Sequence, residues 1–88
     1  MYDAKKADKI RADEKRQALR AYLLEKGCTD CGYNVHYAAL EFDHLPEFEK
    51  LQNVMALCYA SWERIWAEVA KCEVVCSNCH SIRTHERK

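Results

Sequence analysis

The sequence predicts a small α+β domain, with a long N-terminal helix followed by short strands and helices stapled by a four-cysteine zinc site. Three observations lead there. Residues 3–26 lack Gly and Pro and are rich in Ala, Lys, Arg, Glu and Leu, the composition of a helix. Two Cys-x2-Cys knuckles, Cys28-Thr29-Asp30-Cys31 and Cys76-Ser77-Asn78-Cys79, are separated by 44 residues. Two short β-prone runs lie between them, one ending at Asp43-His44 and one running into Cys76. A chain of 88 residues forms one domain with a thin core, and chains of this size commonly use a metal or disulfide staple.

The first helix has a clear apolar stripe only late, at Ala18, Leu19, Tyr22 and Leu23. Its first fifteen residues are almost wholly polar, so that part is expected to project or fray. Gly27 sits where a helix C-cap glycine belongs and hands the chain to the first knuckle. Within residues 35–43, Leu40 and Phe42 alternate with Glu41 and Asp43, which predicts a short strand ended by Pro46. Residues 46–60 read as irregular or as a short helical turn. Ser61 is a good N-cap, and Glu63 suits a first turn. Trp62, Ile65, Trp66 and Val69 fall at i, i+3, i+4 and i+7, predicting an amphipathic helix over 61–71 with its aromatics in the core. Residues 73–76 give a second strand and 79–87 a polar terminal helix. Cys58 and Cys72 have no Cys-x2-Cys partner and read as small core residues.

Net charge is zero but unevenly spread. Residues 1–27 carry +3, residues 28–70 carry −5 and residues 71–88 carry +2. Basic ends around an acidic middle suit a protein that grips a polyanion and holds cations centrally. A neutral chain is an unpromising high-affinity duplex binder, because that affinity comes largely from phosphate neutralisation. Lysines and arginines interrupt every apolar run in residues 1–27, so neither a signal peptide nor a membrane span is expected. The expected compartment is a reducing cytosol, which favours metal over disulfide for the cysteines.

Each Cys-x2-Cys turn can point two sulfurs at one ion, and Cys28, Cys31, Cys76 and Cys79 together complete a tetrahedron for zinc. Asp43 and His44 end a predicted strand, where successive side chains diverge. A carboxylate is a hard ligand suited to Mg²⁺ or Mn²⁺, and an imidazole is a good base near neutral pH. Those are the two parts that phosphodiester hydrolysis needs. His80 follows the second knuckle directly, so the zinc staple fixes its helix. If strand and helix pack as a ββα unit, His80 can share a metal with Asp43.

Leu40-Glu41-Phe42-Asp43-His44, then Asn53, then the run from Lys71 through Cys76-Ser77-Asn78-Cys79-His80 to Ile82-Arg83-Thr84-His85, resembles the HNH endonucleases, most closely the small zinc-stapled members, often phage-encoded. The likeness covers about residues 28–87. It implies a ββα-metal (His-Me finger) core, with residues 1–27 as a basic helical arm and 28–88 as the nuclease domain. It implies His44 as general base, and Asp43 and His80 as ligands of a catalytic Mg²⁺ or Mn²⁺. Asn53 is then the Asn that orients the base, with Asn78 as its rival. Some members carry a second helix His one turn after the first. That position is Thr84 here, and His85 is expected to point elsewhere. Arg83 can contact a phosphate or lie in solvent.

The expected activity is metal-dependent nicking of DNA with low sequence specificity, by a monomer or weak dimer. The likeness also implies possible association with phage DNA-packaging machinery. Two other classes share the knuckles: a non-catalytic zinc-binding nucleic-acid module, and a protein-interaction module docking through Trp62 and Trp66.

Overall fold

The structure is a computed structural model that describes residues 4–87. Helix α1 spans Ala4–Lys26, strand β1 Leu40–His44, helix α2 Trp62–Val69, strand β2 Cys72–Cys76 and helix α3 Ser77–Glu86. Two 3-10 segments, Tyr37–Ala39 and Val54–Tyr59, fill the connections. The fold is α+β, with one two-stranded antiparallel sheet. Among the described residues, no helix is long and apolar enough to cross a membrane.

Gly27 ends α1 at φ +68, a left-handed conformation in which a side chain is strained, and its N–H closes the helix on the Leu23 carbonyl at 2.9 Å. A Cβ there would also lie 3.3 Å from the Tyr33 carbonyl oxygen. The helix docks earlier than its polar start suggests. Ala12 is buried, and Lys15 Nζ donates to the Ala60 carbonyl at 2.5 Å. Leu19 and Leu23 are buried as expected, but Ala18 faces solvent.

The first strand is shorter than the predicted 35–43. His36 Nδ1 accepts from the Ala38 N–H at 2.9 Å and caps a 3-10 turn. β1 then pairs with β2 from Leu40↔Cys76 to His44↔Cys72. Because Cys76 is also the N-cap of α3, no partner strand extends past Leu40. Strand alternation puts Glu41 and Asp43 on the face toward α3, and Leu40, Phe42 and His44 on the face toward α1 and α2. Leu23, Leu40, Val74 and Val75 form one apolar cluster. Leu19, Val54, Leu57, Ile65 and Val69 form the other, with Phe42 and Tyr22 packed against both.

Helix α2 begins at the Ser61 cap, whose hydroxyl accepts from the Arg64 N–H at 3.3 Å. Its buried residues are Ile65, Glu68 and Val69. Trp62 and Trp66 are 36% and 43% exposed, not core as their spacing predicts. A core this thin accommodates Ile65 and Val69, while the two indoles lie over the edge toward α1. There Trp66 meets the Tyr22 ring at 5.4 Å. Cys58 is buried, and Cys72 is half-buried against the second cluster.

Candidate functional site

The four knuckle cysteines converge. Their sulfurs all lie within 4.8 Å of one another, and Cys31 Sγ and Cys76 Sγ are 3.7 Å apart. A regular tetrahedron with metal–sulfur bonds of about 2.3 Å has edges of about 3.8 Å, so the cluster fits zinc. Local hydrogen bonds build it. The Gly32 N–H closes the first knuckle on the Cys28 carbonyl at 2.8 Å, and the Thr29 N–H ties it to Val74 of β2 at 2.7 Å. Cys76 Sγ accepts from the Cys79 N–H at 3.5 Å, forming the first turn of α3. Burial pushes the Cys28 thiol up, but backbone N–H groups of Cys76, Cys31 and Asp30 outweigh it and bring the thiol to about 6. Four thiolates are a soft donor set that can hold a structural metal such as zinc.

Beyond this cluster, α3 meets the Glu41–Asp43 face of β1. His80 Nδ1 and Glu41 Oε1 are 2.6 Å apart. His80 Nε2 lies 3.4 Å from Asp43 Oδ1. A neutral His80 that donates from Nδ1 to Glu41 turns its Nε2 lone pair toward a carboxylate oxygen. A proton or metal cation stabilises that juxtaposition. Adjacent ligands of an octahedral Mg²⁺ lie about 3 Å apart, so the spacing suits such an ion.

Asp43 is 2% exposed and already carries cations. Arg87 donates to both of its oxygens at 2.8 Å, and Arg83 Nη1 donates to Oδ2 at 2.8 Å. Burial alone would raise its pKa, but the Arg87 and Arg83 guanidinium groups hold the carboxyl below the usual range. Arg83 is neither in open solvent nor turned outward. It also pairs with Asp30 at 2.7 Å and Glu73 at 3.1 Å. Those carboxylates, Asp30 first, raise its already high value further.

His44, on the opposite face, points into the body of the protein. Its Nε2 is 2.7 Å from Glu68 Oε2. Glu68 is 3% exposed and also accepts from Lys71 Nζ at 3.0 Å and the Leu51 N–H at 3.2 Å. Burial opposes its charge, yet Lys71, His44 and the Leu51 N–H together hold it at about 2. An ionised Glu68 can only accept a hydrogen bond from Nε2–H, and the Nδ1 of His44 has no hydrogen-bond partner among the described residues.

Asn53 lines the same cavity as His44, a space of about 310 Å³, and its side chain makes no cap hydrogen bond. Asn78 lines a different cavity, beside Cys31 and Cys76. His80 lines a third, of about 340 Å³, with Ser77, Ser81, Thr84 and His85. His85 therefore shares the His80 cavity instead of pointing elsewhere, and Glu41 borders both the His44 and the His80 cavities.

Glu68, Glu41 and Arg87 were missed from the sequence. Glu68 had a signal: it follows Ile65 by three residues and precedes Val69, so it stands on the apolar side of its helix. Glu41 had one too, since strand alternation puts it on the face of Asp43, and Arg87 had none beyond its charge. Compared with family models, with curated proteins and with solved structures, the chain matches none.

Proposed function

We propose that the protein is a metal-dependent DNA endonuclease of the HNH type, built on a ββα-metal core, with His44 as general base. One observation carries the reading. Consecutive residues of β1 are set for different tasks: Asp43 faces the Nε2 of His80 from 3.4 Å, and His44, held by Glu68 through Nε2, has an open Nδ1. A surface Asp-His pair has no need of either arrangement.

Glu68 is a positioning residue here. By accepting from Nε2, it selects the His44 tautomer whose Nδ1 lone pair can take a proton. His44 removes that proton from water, and the water oxygen bonds to phosphorus. The P–O3′ bond breaks, and the departing 3′ oxygen gains a proton from solvent, leaving a 5′-phosphate and a 3′-hydroxyl. Asp43 and His80 would hold Mg²⁺ or Mn²⁺, which when bound supplies charge stabilisation for the phosphate and the leaving oxygen. Such binding requires Asp43 to release at least one guanidinium bond, and Arg87, exposed at the end of α3, is the one placed to move. Asn53, beside His44, lines the entry to the base, and the zinc clamp holds the start of α3 and hence His80. Arg83 joins the strand face to the first knuckle through Asp43 and Asp30.

Two observations favour a non-catalytic zinc module instead: both oxygens of Asp43 are satisfied by arginine, and His44 lies on the opposite face of β1 from the Asp43–His80 pair. Nicking of supercoiled plasmid separates the two readings. The wild type should nick with Mg²⁺ or Mn²⁺, and His44→Ala should lose nicking while keeping its fold and its zinc. Inactivity of the wild type under every divalent cation, or full activity of His44→Ala, would reject the catalytic reading.

A further inference from the structure

A second surface lies away from the Asp43–His80 face. Tyr59 is 66% exposed, Trp66 43% and Trp62 36%. Trp62 and Trp66 lie nearly parallel, 15° apart with centroids 5.5 Å apart. Cations from α1 accompany the rings. Lys15 Nζ, which also donates to the Ala60 carbonyl, sits 5.8 Å from the Trp62 centroid, and the Arg16 guanidinium, paired with Asp13 at 2.6 Å, sits 5.7 Å from that of Tyr59.

The packing of α1 does not require these rings to be open. Ala12, Leu19 and Leu23 already bury the seam. An apolar protein partner would have to strip water from Lys15 and Arg16 to cover the patch, which is costly. A strand of unpaired nucleotides uses both parts, because its bases stack on π-faces while its phosphates meet the cations. The +3 charge of residues 1–27 adds to that complementarity. A duplex has its bases already stacked and offers no such faces.

We propose that Tyr59, Trp62 and Trp66, flanked by Lys15 and Arg16, form a stacking platform for single-stranded DNA. The platform goes beyond the cleavage reading and needs neither His44 nor a catalytic metal. From Trp66 the ring contacts continue through Tyr22 to Phe42, 5.4 and 6.0 Å between centroids, and Phe42 directly precedes Asp43. Nucleotides held on the platform are thus held on the side of the sheet that His44 faces.

The chain has only two tryptophans, and both lie in the patch, so tryptophan fluorescence, excited selectively beyond the tyrosine band, reports on it alone. The test uses zinc-loaded His44→Ala protein without added magnesium, titrated at low salt with an oligodeoxythymidine, a blunt duplex of equal length, and inorganic polyphosphate. Single-stranded DNA should quench the tryptophans, and it should bind at least about tenfold more tightly than the duplex. Trp66→Ala should weaken binding by about tenfold or more. Tyr59→Ala, at a position outside the core, should weaken it severalfold with unchanged circular dichroism. Lys15→Gln with Arg16→Gln should flatten the salt dependence by about 1.4 in log–log slope, about 0.7 for each phosphate no longer neutralised. No quenching by the single strand, an equal response to polyphosphate, or tighter binding of the duplex would overturn the platform and leave the rings to a protein partner. Because binding is read in a variant without the proposed base, failure of the cleavage reading would not change these results.

Discussion

The cysteine cluster and the Asp43–His80 pair are two donor sets served by one helix, yet they are prepared for metal in opposite ways. At the cluster, four sulfurs converge within 4.8 Å, and among the described residues no cationic side chain is hydrogen-bonded to them. At Asp43, the oxygens sit within reach of His80 but are occupied by Arg83 and Arg87. The first set could hold an ion with no group to displace, and a metal there would add directly to folding. The second is electrically satisfied without one, so under the proposed function a cation there would have to displace a guanidinium.

The largest effect should come from breaking the first set. Cys28→Ser or Cys76→Ser should abolish cooperative folding, because structural zinc contributes about 10–16 kcal/mol of apparent binding energy, comparable to or above a small domain's whole stability. Far-UV circular dichroism checks this, and a stable, metal-free double variant would refute the clamp. Next comes Asp43→Ala, which strands Arg83 beside Glu73 and Asp30 and frees Arg87. A loss of about 3 kcal/mol in urea unfolding is expected, and a loss under about 1 kcal/mol would place the network with ordinary surface pairs.

Glu68→Gln should cost about 2 kcal/mol, since Lys71, His44 and the Leu51 N–H all lose a charged acceptor. It should also shift the His44 tautomer seen in ¹⁵N NMR, a change that loss of packing alone would not produce. The pH dependence follows from the same group. Glu68 is held at about 2 against an ordinary 4.5, so its contribution is full above pH 4.5 and is lost as pH falls from there toward 2. Protonation of the cysteines acts in both proteins, so a shallower acid limb in Glu68→Gln than in wild type isolates the carboxylate. The smallest effect sharpens the comparison most. Arg87→Ala should tighten Mn²⁺ binding at Asp43 by about fivefold, about 1 kcal/mol, measured by electron paramagnetic resonance of the free ion. Unchanged affinity would show that Arg87 and the cation do not compete.

What could be read beforehand divides along sequence distance. The knuckles were legible because each ligand pair is local and its spacing states the geometry. Gly27, Ser61 and the two strands were legible for the same reason. Glu68 meets His44 across 24 residues, and Arg87 meets Asp43 across 44, so nothing near either residue announces its partner. The tryptophans failed differently. Periodicity defined an arc of α2 that includes Ile65 and Val69, but the side to which the helix is rolled depends on α1 and the Val54–Tyr59 segment. The roll that buries Glu68 leaves the indoles outside.

Cys76 ends β2, caps α3 and belongs to the cysteine cluster. Only three residues separate it from His80. One residue added there would turn His80 by about 100° around the helix axis, away from Asp43. The loops at 46–53 can lengthen or shorten without touching that relation. The span from Cys76 to His80 cannot, so like the Cys28–Cys31 knuckle it tolerates no insertion or deletion.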